Sequence, residues 1–516
     1  MPKIKMPARS YYDRTHDVKG DISMGLMYPV LHEEIIPGDT FSLQDEMLIR
    51  LAPMIRPVMH EMTAYLRFFF VRDWTIMDGF EEMISAGPDG QSDVTVPMNP
   101  DDYTVEVGSV WDWLNVNPGV YDAGMFSMLP LRAYNKVYND WYRPQNQVPD
   151  EVDLDDNTMK RTTWELDYFT SALPFTQRGP QVFMPLGTVA PIKGDGTPIP
   201  FINQGYNTVS RFNVARAGGE TGAIVSTPGS SQFVGPLCFP KDVDINAYAD
   251  LSRVSGISIN DWRNYLQVQS WMELNALGGV RYPELVLAHF GVVTPDSRVE
   301  RAEYLGSMKV PVVVSEVLQT SQSTEQSPQA NMAGHGIGAN RRQLFKRSFT
   351  EHGWLIGILT FVPKSGYQQG IPVEYQRQSA LDFPWPLFTR LGMRDIPIKA
   401  LYTGAYLDSD GNLTTPENGT WTPVDKPDET FAYNTIYDEL RYKSNTVHGK
   451  FRTDLSFWHL NRLFNKKPVF NKNFVECTPN TDRIKEVTTE SDAFVQIVHR
   501  LKCYRELPKA PTPWHF

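Results

Sequence analysis

The sequence predicts a mainly β protein of the Greek-key or jelly-roll sandwich class, and three observations carry that reading. Glycine (36) and proline (39) are plentiful, strand-like runs sit between them, and long connections separate the runs. The run HEMTAYLRFFFVR at 60–72 alternates, with Met62, Ala64, Leu66, Phe68 and Phe70 on one face and Glu61, Thr63, Tyr65 and Arg67 on the other. That is a strand with one buried face. WLIGILTFVP at 354–363 is apolar on both faces and reads as a central strand covered on both sides. KVPVVVSEVLQTS (309–321) and IPIKALYTGAYL (396–407) are further strand candidates.

Helices are fewer. LPLRAYNKVYNDWYRPQN (129–146) places Tyr134, Val137, Tyr138, Trp141 and Tyr142 at helical spacing, and Pro144 stops it. A second helix starts at Ser258, with Asp261 in a variant capping box, and ends at Gly278 and Gly279. Pro283 then suits the first turn of a third, YPELVLAHF. The stretch QVQSWMELNALGGVRYPELVLAHFG (267–291) is therefore a helical corner, and its His289 a packed or interface histidine. From Gly187 to Pro240 the chain is rich in Gly, Pro, Ser and Thr and poor in charge, a long elaborated loop with short strands. STEQSPQANMAGHGIGANRR (323–342) reads as a second flexible stretch.

Charge and cysteine content exclude several function classes. The 516 residues carry a net charge of −11, which argues against a surface coated with nucleic acid. Residues 1–20 run the other way: Lys3, Lys5, Arg9, Arg14 and Lys19 oppose only Asp13 and Asp17, forming either a basic arm or a solvated start. Cys238, Cys477 and Cys503 form no CxxC pair, so a disulfide framework and a zinc knuckle are disfavoured and a reducing cytosolic origin fits best. Nothing has signal-peptide character or approaches the ~18 apolar residues of a membrane span, so the chain reads as soluble, without a cleaved leader or membrane insertion.

No constellation of catalytic residues emerges. His32 with Glu33 and Glu34 lacks HExxH spacing and reads as a turn before a strand. His352 has no identifiable nucleophile or carboxylate partner. GHGIGAN (334–340) lacks the Lys-Ser/Thr of a phosphate loop and reads as a linker. DSDGN (408–412) lacks the bidentate Glu of a calcium loop and reads as a hairpin turn. No GxSxG and no papain-like or caspase-like cysteine context occurs. An enzyme is disfavoured, and no cofactor or metal ligand is nominated.

Longer motifs resemble one family along nearly the whole chain. They are EIIPGDTF (34–41), RLAPMIRPVMHEMTAYLRFFFVR (50–72), LPLRAYNKVYNDWYRPQN (129–146), DYFTSALPFTQRGP (167–180) and GGVRYPELVLAHFGVVTPDSRVERAEYLG (278–306). SFTEHGWLIGILTFVP (348–363), YQQGIP (367–372), DFPWPLFTRLG (382–392) and YDELRYKSNTVHGKFR (437–452) follow. The chain resembles the major capsid protein of the small single-stranded DNA microviruses, most closely the gokushovirus branch. It carries ELNAL before the Gly-Gly, where relatives tend to carry charged residues.

That resemblance implies an eight-stranded antiparallel jelly roll of the viral capsid type, with long helix- and loop-containing insertions, spanning 1–516 as a single domain. It implies self-assembly into a T=1 shell around a circular single-stranded DNA genome, with virion localisation and assembly in the bacterial host cytoplasm. An insertion at 187–257 would form the three-fold protrusion and meet a bacterial surface receptor, with Asn203, Tyr206, Arg211, Phe212 and Arg216 as host-facing candidates. The basic arm, through Lys3, Lys5, Arg9, Arg14 and Lys19, would face the DNA. A small basic DNA-binding protein, an internal scaffolding protein and a minor pilot protein are the implied partners. A jelly-roll carbohydrate-binding, lectin-like protein working as a small oligomer is the alternative from a different class.

Overall fold

Alternation of apolar and polar residues builds the frame. A computed structural model describes residues 9–87, 90, 92–183, 258–318 and 332–508, with the backbone of short strands at 192–194, 200–203, 208–211, 237–238 and 247–249. The principal sheet has nine strands. They are β1 (Ser10–Asp13), β2 (His16–Ile22), β3 (Met27–Ile35), β4 (Thr40–Leu51), β5 (Met62–Arg72), β6 (Glu303–Leu318), β7 (Met332–Ser348), β8 (Gly353–Pro363) and β9 (Ala493–Arg505). One half runs β2–β9–β4–β7, with β1 continuing β2 along β9, and the other runs β3–β8–β5–β6. Every neighbouring pair is antiparallel. With β1 and β2 as one position, this is the strand order of an eight-stranded jelly roll, 1-8-3-6 facing 2-7-4-5.

β6 joins the halves. Glu303 to Val312 pair with β5, and Val313 to Leu318 pair with β7. Between the halves lies one core: Phe41, Leu43, Met47 and Ile49 from β4 and Val495, Ile497 and Leu501 from β9 meet Leu66 and Phe68 of β5 and Leu355, Leu359 and Phe361 of β8. Each such side chain contributes roughly 1.5–3 kcal/mol by leaving water. In β4 the odd-numbered residues Phe41 to Leu51 are buried and the even-numbered ones are more open, so a one-residue slip would turn the whole apolar set to solvent.

A second apolar layer covers the outer face of the β3–β8–β5 half. Helix α1 (Leu129–Val137) continues through a π turn at Tyr138–Tyr142. Leu131, Tyr134, Val137 and Tyr138 pack there on Phe69, Val71, Ile356 and Ile358. β8 is thus covered on both faces, as its sequence predicts. β5 departs from its expected single buried face: Phe69 and Val71 are buried on the second face because α1 covers that end, whereas Tyr65 and Arg67 remain partly open.

Three local expectations are corrected. GHGIGAN is part of β7, not a linker. Gly336 and Gly338 sit where β7 presses against its neighbours, and a Cβ on Gly338 would lie 2.9 Å from Ile49 Cγ2 and 2.9 Å from the Pro311 carbonyl oxygen. His32, Glu33 and Glu34 lie within β3, paired with β8, and the turn comes afterwards, around Gly38. The run 396–407 is not one strand. It divides into a strand at Met393–Pro397, a 3-10 turn at Ile398–Ala400 and a strand at Gly404–Leu407. Pro397 cannot donate to a ladder, and Ile398 and Leu401 turn into a separate core with Phe431 and Phe474. DSDGN does form a turn, closed by Asp408 N–H to the Asn412 carbonyl at 3.0 Å.

The long connections run over 73–302, between β5 and β6, and 364–492, between β8 and β9. The chain divides into two compact units, Met1–Arg178 with Glu273–Phe516, and Gly179–Met272. In the second unit Ile192–Gly194 pairs with Ala247–Ala249, and Pro200–Asn203 pairs with Thr208–Arg211 and with Leu237–Cys238.

Gly338→Val tests the close approach of β7 to β4 and β6. Overpacking there is expected to cost about 1–3 kcal/mol, read as a lowered thermal midpoint of the full chain. An unchanged midpoint would show that β7 does not sit in this register.

Candidate assembly and genome-facing surfaces

The corner at 258–293 is built by helix α2 (Ile259–Gly278) and helix α3 (Tyr282–Phe290). Ser258 Oγ accepts from the Asn260 N–H at 3.2 Å, so the cap closes on Asn260 rather than in a box with Asp261. Gly279 takes φ +96°, and a Cβ on Gly278 would lie 2.6 Å from the Ala288 Cβ, so the two glycines stop one helix and let the next pack against it. His289 Nε2 lies 2.6 Å from Asn275 Oδ1. Val280 N–H donates to Gln145 Oε1 at 2.9 Å, Gln145 Nε2 to Glu284 Oε2 at 2.9 Å, and Arg281 to the Asn139 carbonyl at 2.6 Å. His289 is a packed histidine in a structural corner.

Apolar side chains exposed around this corner were not singled out by sequence reasoning. Val280, Tyr282, Leu287, Val292 and Val293 are exposed, and Phe290 is 73% exposed. A second exposed run holds Leu381, Phe383, Trp385, Leu391 and Leu387, the last at 81%. The end of the second run approaches helix α2, since a Cβ on Gly392 would meet the Glu273 carboxylate at 2.7 Å. The signal in sequence was DFPWPLFTRLG, which places large apolar residues among prolines with no strand or helix period to bury them.

The basic N-terminal candidates are scattered among acidic partners. Arg9 pairs with Glu506 at 2.9 Å, Arg14 with the buried Glu33 at 2.6 Å and Lys19 with Asp17 at 2.5 Å; the Arg9 and Lys19 pairs are open to water and worth little in stability. Arg14 and Lys19 belong to the frame: Arg14 N–H donates to the Leu501 carbonyl between β1 and β2, and Lys19 lies within β2, paired with Gln496 of β9. Lys3 and Lys5 lie outside the described residues. Asn203 and Arg211 sit on the short strands Pro200–Asn203 and Thr208–Arg211, whereas Tyr206, Phe212 and Arg216 lie outside the described residues.

Titratable groups inside the frame are structural. His499 and Asp45, cross-strand partners on β9 and β4, are fully buried, with Nδ1 3.0 Å from Asp45 Oδ1 and Nε2 3.1 Å from the Val30 carbonyl of the opposite half. Burial pushes the Asp45 carboxyl up. His32 is held down at about 4 by burial, with His16 and His499 adding to the effect. Burial raises the Cys477 thiol, and the Cys503 thiol to about 11, so neither is an activated nucleophile. His352 packs its ring on Phe80. Among the described residues no group of three or more His, Cys, Asp or Glu could hold a metal, and no helix is long and apolar enough to cross a membrane.

One carboxyl is in tension with its surroundings. Asp73, 6% exposed, has a buried Oδ1 with no hydrogen-bond partner. Burial first, and the neighbouring Glu34 charge second, push it up to about 7. The adjacent Arg72 is committed elsewhere, to Glu303 and, at 2.6 Å, to Glu351.

Comparison with known proteins places these surfaces in context. A family model described as capsid protein (F protein) matches residues 3–514. The chain is 32% identical to capsid protein VP1 of Bdellovibrio phage phiMH2K, over 93% of this chain and 90% of that protein. It is 29% identical to capsid protein VP1 of Chlamydia phage 1, over 98% and 95%. Capsid protein VP1 of Spiroplasma virus 4 is 27% identical over 92% of this chain and 89% of that protein.

Asp73 gives a pH test. A carboxyl whose folded pKa is raised stabilises the fold fully below its ordinary value of 3.8, and that stability is lost as pH rises through about 7. Asp73→Asn is therefore expected to be more stable than the parent at pH 8 by roughly 1–3 kcal/mol, with the gain shrinking towards pH 5. Thermal midpoints of both proteins at the two pH values check it, and a constant offset would contradict it.

Proposed function

The chain belongs to the capsid protein (F protein) family, and from that premise we propose that its copies close into a T=1 icosahedral shell around a circular single-stranded DNA genome. As a major capsid protein it is a structural component of the virion and not an enzyme. The observation that carries the assembly reading is the pair of apolar segments, 280–293 and 381–391, left exposed on a chain whose cores are formed by other residues. Exposed apolar area on this scale marks a contact surface, and a stable interface needs roughly 800 Å² from each partner. Repeated around closed symmetry, individually modest contacts become collectively stable.

In this reading the insertion at 187–257 forms the protrusion and meets a bacterial surface receptor, with Asn203, Tyr206, Arg211, Phe212 and Arg216 facing the host. The genome lies on the inner face. Arg9, Arg14 and Lys19 can turn to phosphate only by exchanging their carboxylate partners, so Lys3 and Lys5 and a separate small basic DNA-binding protein carry more of the neutralisation. Internal scaffolding and minor pilot proteins act during assembly in the host cytoplasm.

Expression of the full chain, and of a form with 187–257 shortened to a short linker, tests this. Negative-stain micrographs are expected to show closed particles for both, with adsorption to host cells reduced at least tenfold for the shortened form. A small soluble oligomer in place of particles would favour the lectin-like alternative. Particles lost only on shortening would assign the insertion to the shell instead of to attachment.

A further inference from the structure

The outer face of the β3–β8–β5–β6 half carries a groove of about 680 Å³ beyond the end covered by α1. Its walls are aromatic: Tyr65, Trp141, Tyr142, Trp164 and Tyr304. Two cations stand among them. The Arg67 guanidinium lies 4.8 Å from the Tyr65 ring centre and 5.6 Å from that of Tyr142, and donates to the Tyr142 hydroxyl at 3.3 Å. Lys309 Nζ, on the neighbouring β6, lies 5.4 Å from the Tyr65 ring. Tyr304, 41% exposed, edges onto Phe69 and tilts against Trp141.

Charge and aromatic surface coincide in this groove. In a chain of net charge −11, cations such as Arg14, Arg72, Arg132, Lys160 and Arg500 are paired with carboxylates. Arg67 and Lys309 make no ion pair among the described residues. Glu165, the one carboxylate lining the groove, accepts a hydrogen bond from the Tyr65 hydroxyl. Unpaired cations beside partly open aromatic rings fit a ligand with both negative charge and flat faces. A duplex offers phosphates but keeps its bases stacked, so the aromatic walls favour a single strand.

We infer that this groove binds single-stranded nucleic acid, with phosphates on Arg67 and Lys309 and an unstacked base on Tyr304. The inference rests on the capsid reading for the presence of such a strand, and it adds a site distinct from the N-terminal basic residues. Thr163, half-buried in the lining, supplies a hydroxyl without adding negative charge.

The test is fluorescence anisotropy of a labelled oligothymidylate titrated with the full-length chain at several salt concentrations, alongside micrographs of each preparation. Lys309→Gln is expected to weaken binding about tenfold and to reduce the salt slope by about 1. Tyr304→Leu is expected to weaken it at least fivefold with the slope unchanged. The control Lys443→Gln, an exposed cation already paired with Glu374, is expected to leave both unchanged. Equal weakening in the control, or no weakening in either groove variant, overturns the site while particles from the parent chain leave the capsid reading standing. Loss of particles with oligonucleotide binding intact also overturns it, assigning the groove to a neighbouring copy. Binding through these residues by a chain that forms no particles supports the groove and counts against the capsid reading.

Discussion

The structure depends on one strand shared by two sheets. β6 spends its first part against β5 and its last part against β7, so the halves cannot separate without breaking a continuous backbone ladder. That constraint brings the apolar faces of β4 and β9 over those of β5 and β8 and leaves little room between them. It explains why glycine is needed where β7 crosses close to Ile49 and Pro311. It also explains how His499 can reach the Val30 carbonyl on the far half. A polar group fully buried in such a core is tolerated because both its ring nitrogens are engaged.

Everything that distinguishes this chain from a bare sandwich hangs between strand ends. The connection from β5 to β6 supplies α1, the corner of α2 and α3, and the unit Gly179–Met272. The connection from β8 to β9 supplies the small core of Ile396, Leu401, Phe431 and Phe474. α1 serves to bury one end of the outer face, and by stopping there it leaves Tyr65, Arg67 and Lys309 open. Frame and surface are thus linked: where the helix ends, a polar and aromatic groove begins.

The sequence was legible where a single periodicity governed burial. β5, β8, α1 and the Gly-Gly corner follow from alternation, helical spacing and the backbone preferences of Gly and Pro. β7 was not legible, because its glycines answer to neighbouring side chains remote in sequence, and GHGIGAN alone looks like a linker. HEE in β3 misled because charged residues at a sheet edge hide an otherwise apolar strand. The groove was illegible for a related reason. Its chemistry comes from residues such as Tyr65, Tyr142 and Lys309 that only the fold assembles. Of the charged candidates nominated from sequence, Arg9, Arg14 and Lys19 each carry a nearby acid that composition could not place.

Hydrogen–deuterium exchange on free subunits and on assembled particles is the most direct test of a preformed frame that assembles through surfaces left bare by folding. Amides of β4, β5, β8 and β9 are expected to be slow to exchange in the free subunit and unchanged on assembly. Segments 280–293 and 381–391 are expected to gain protection only in particles. Frame strands that become protected only on assembly, or apolar segments that exchange equally in both states, would contradict it.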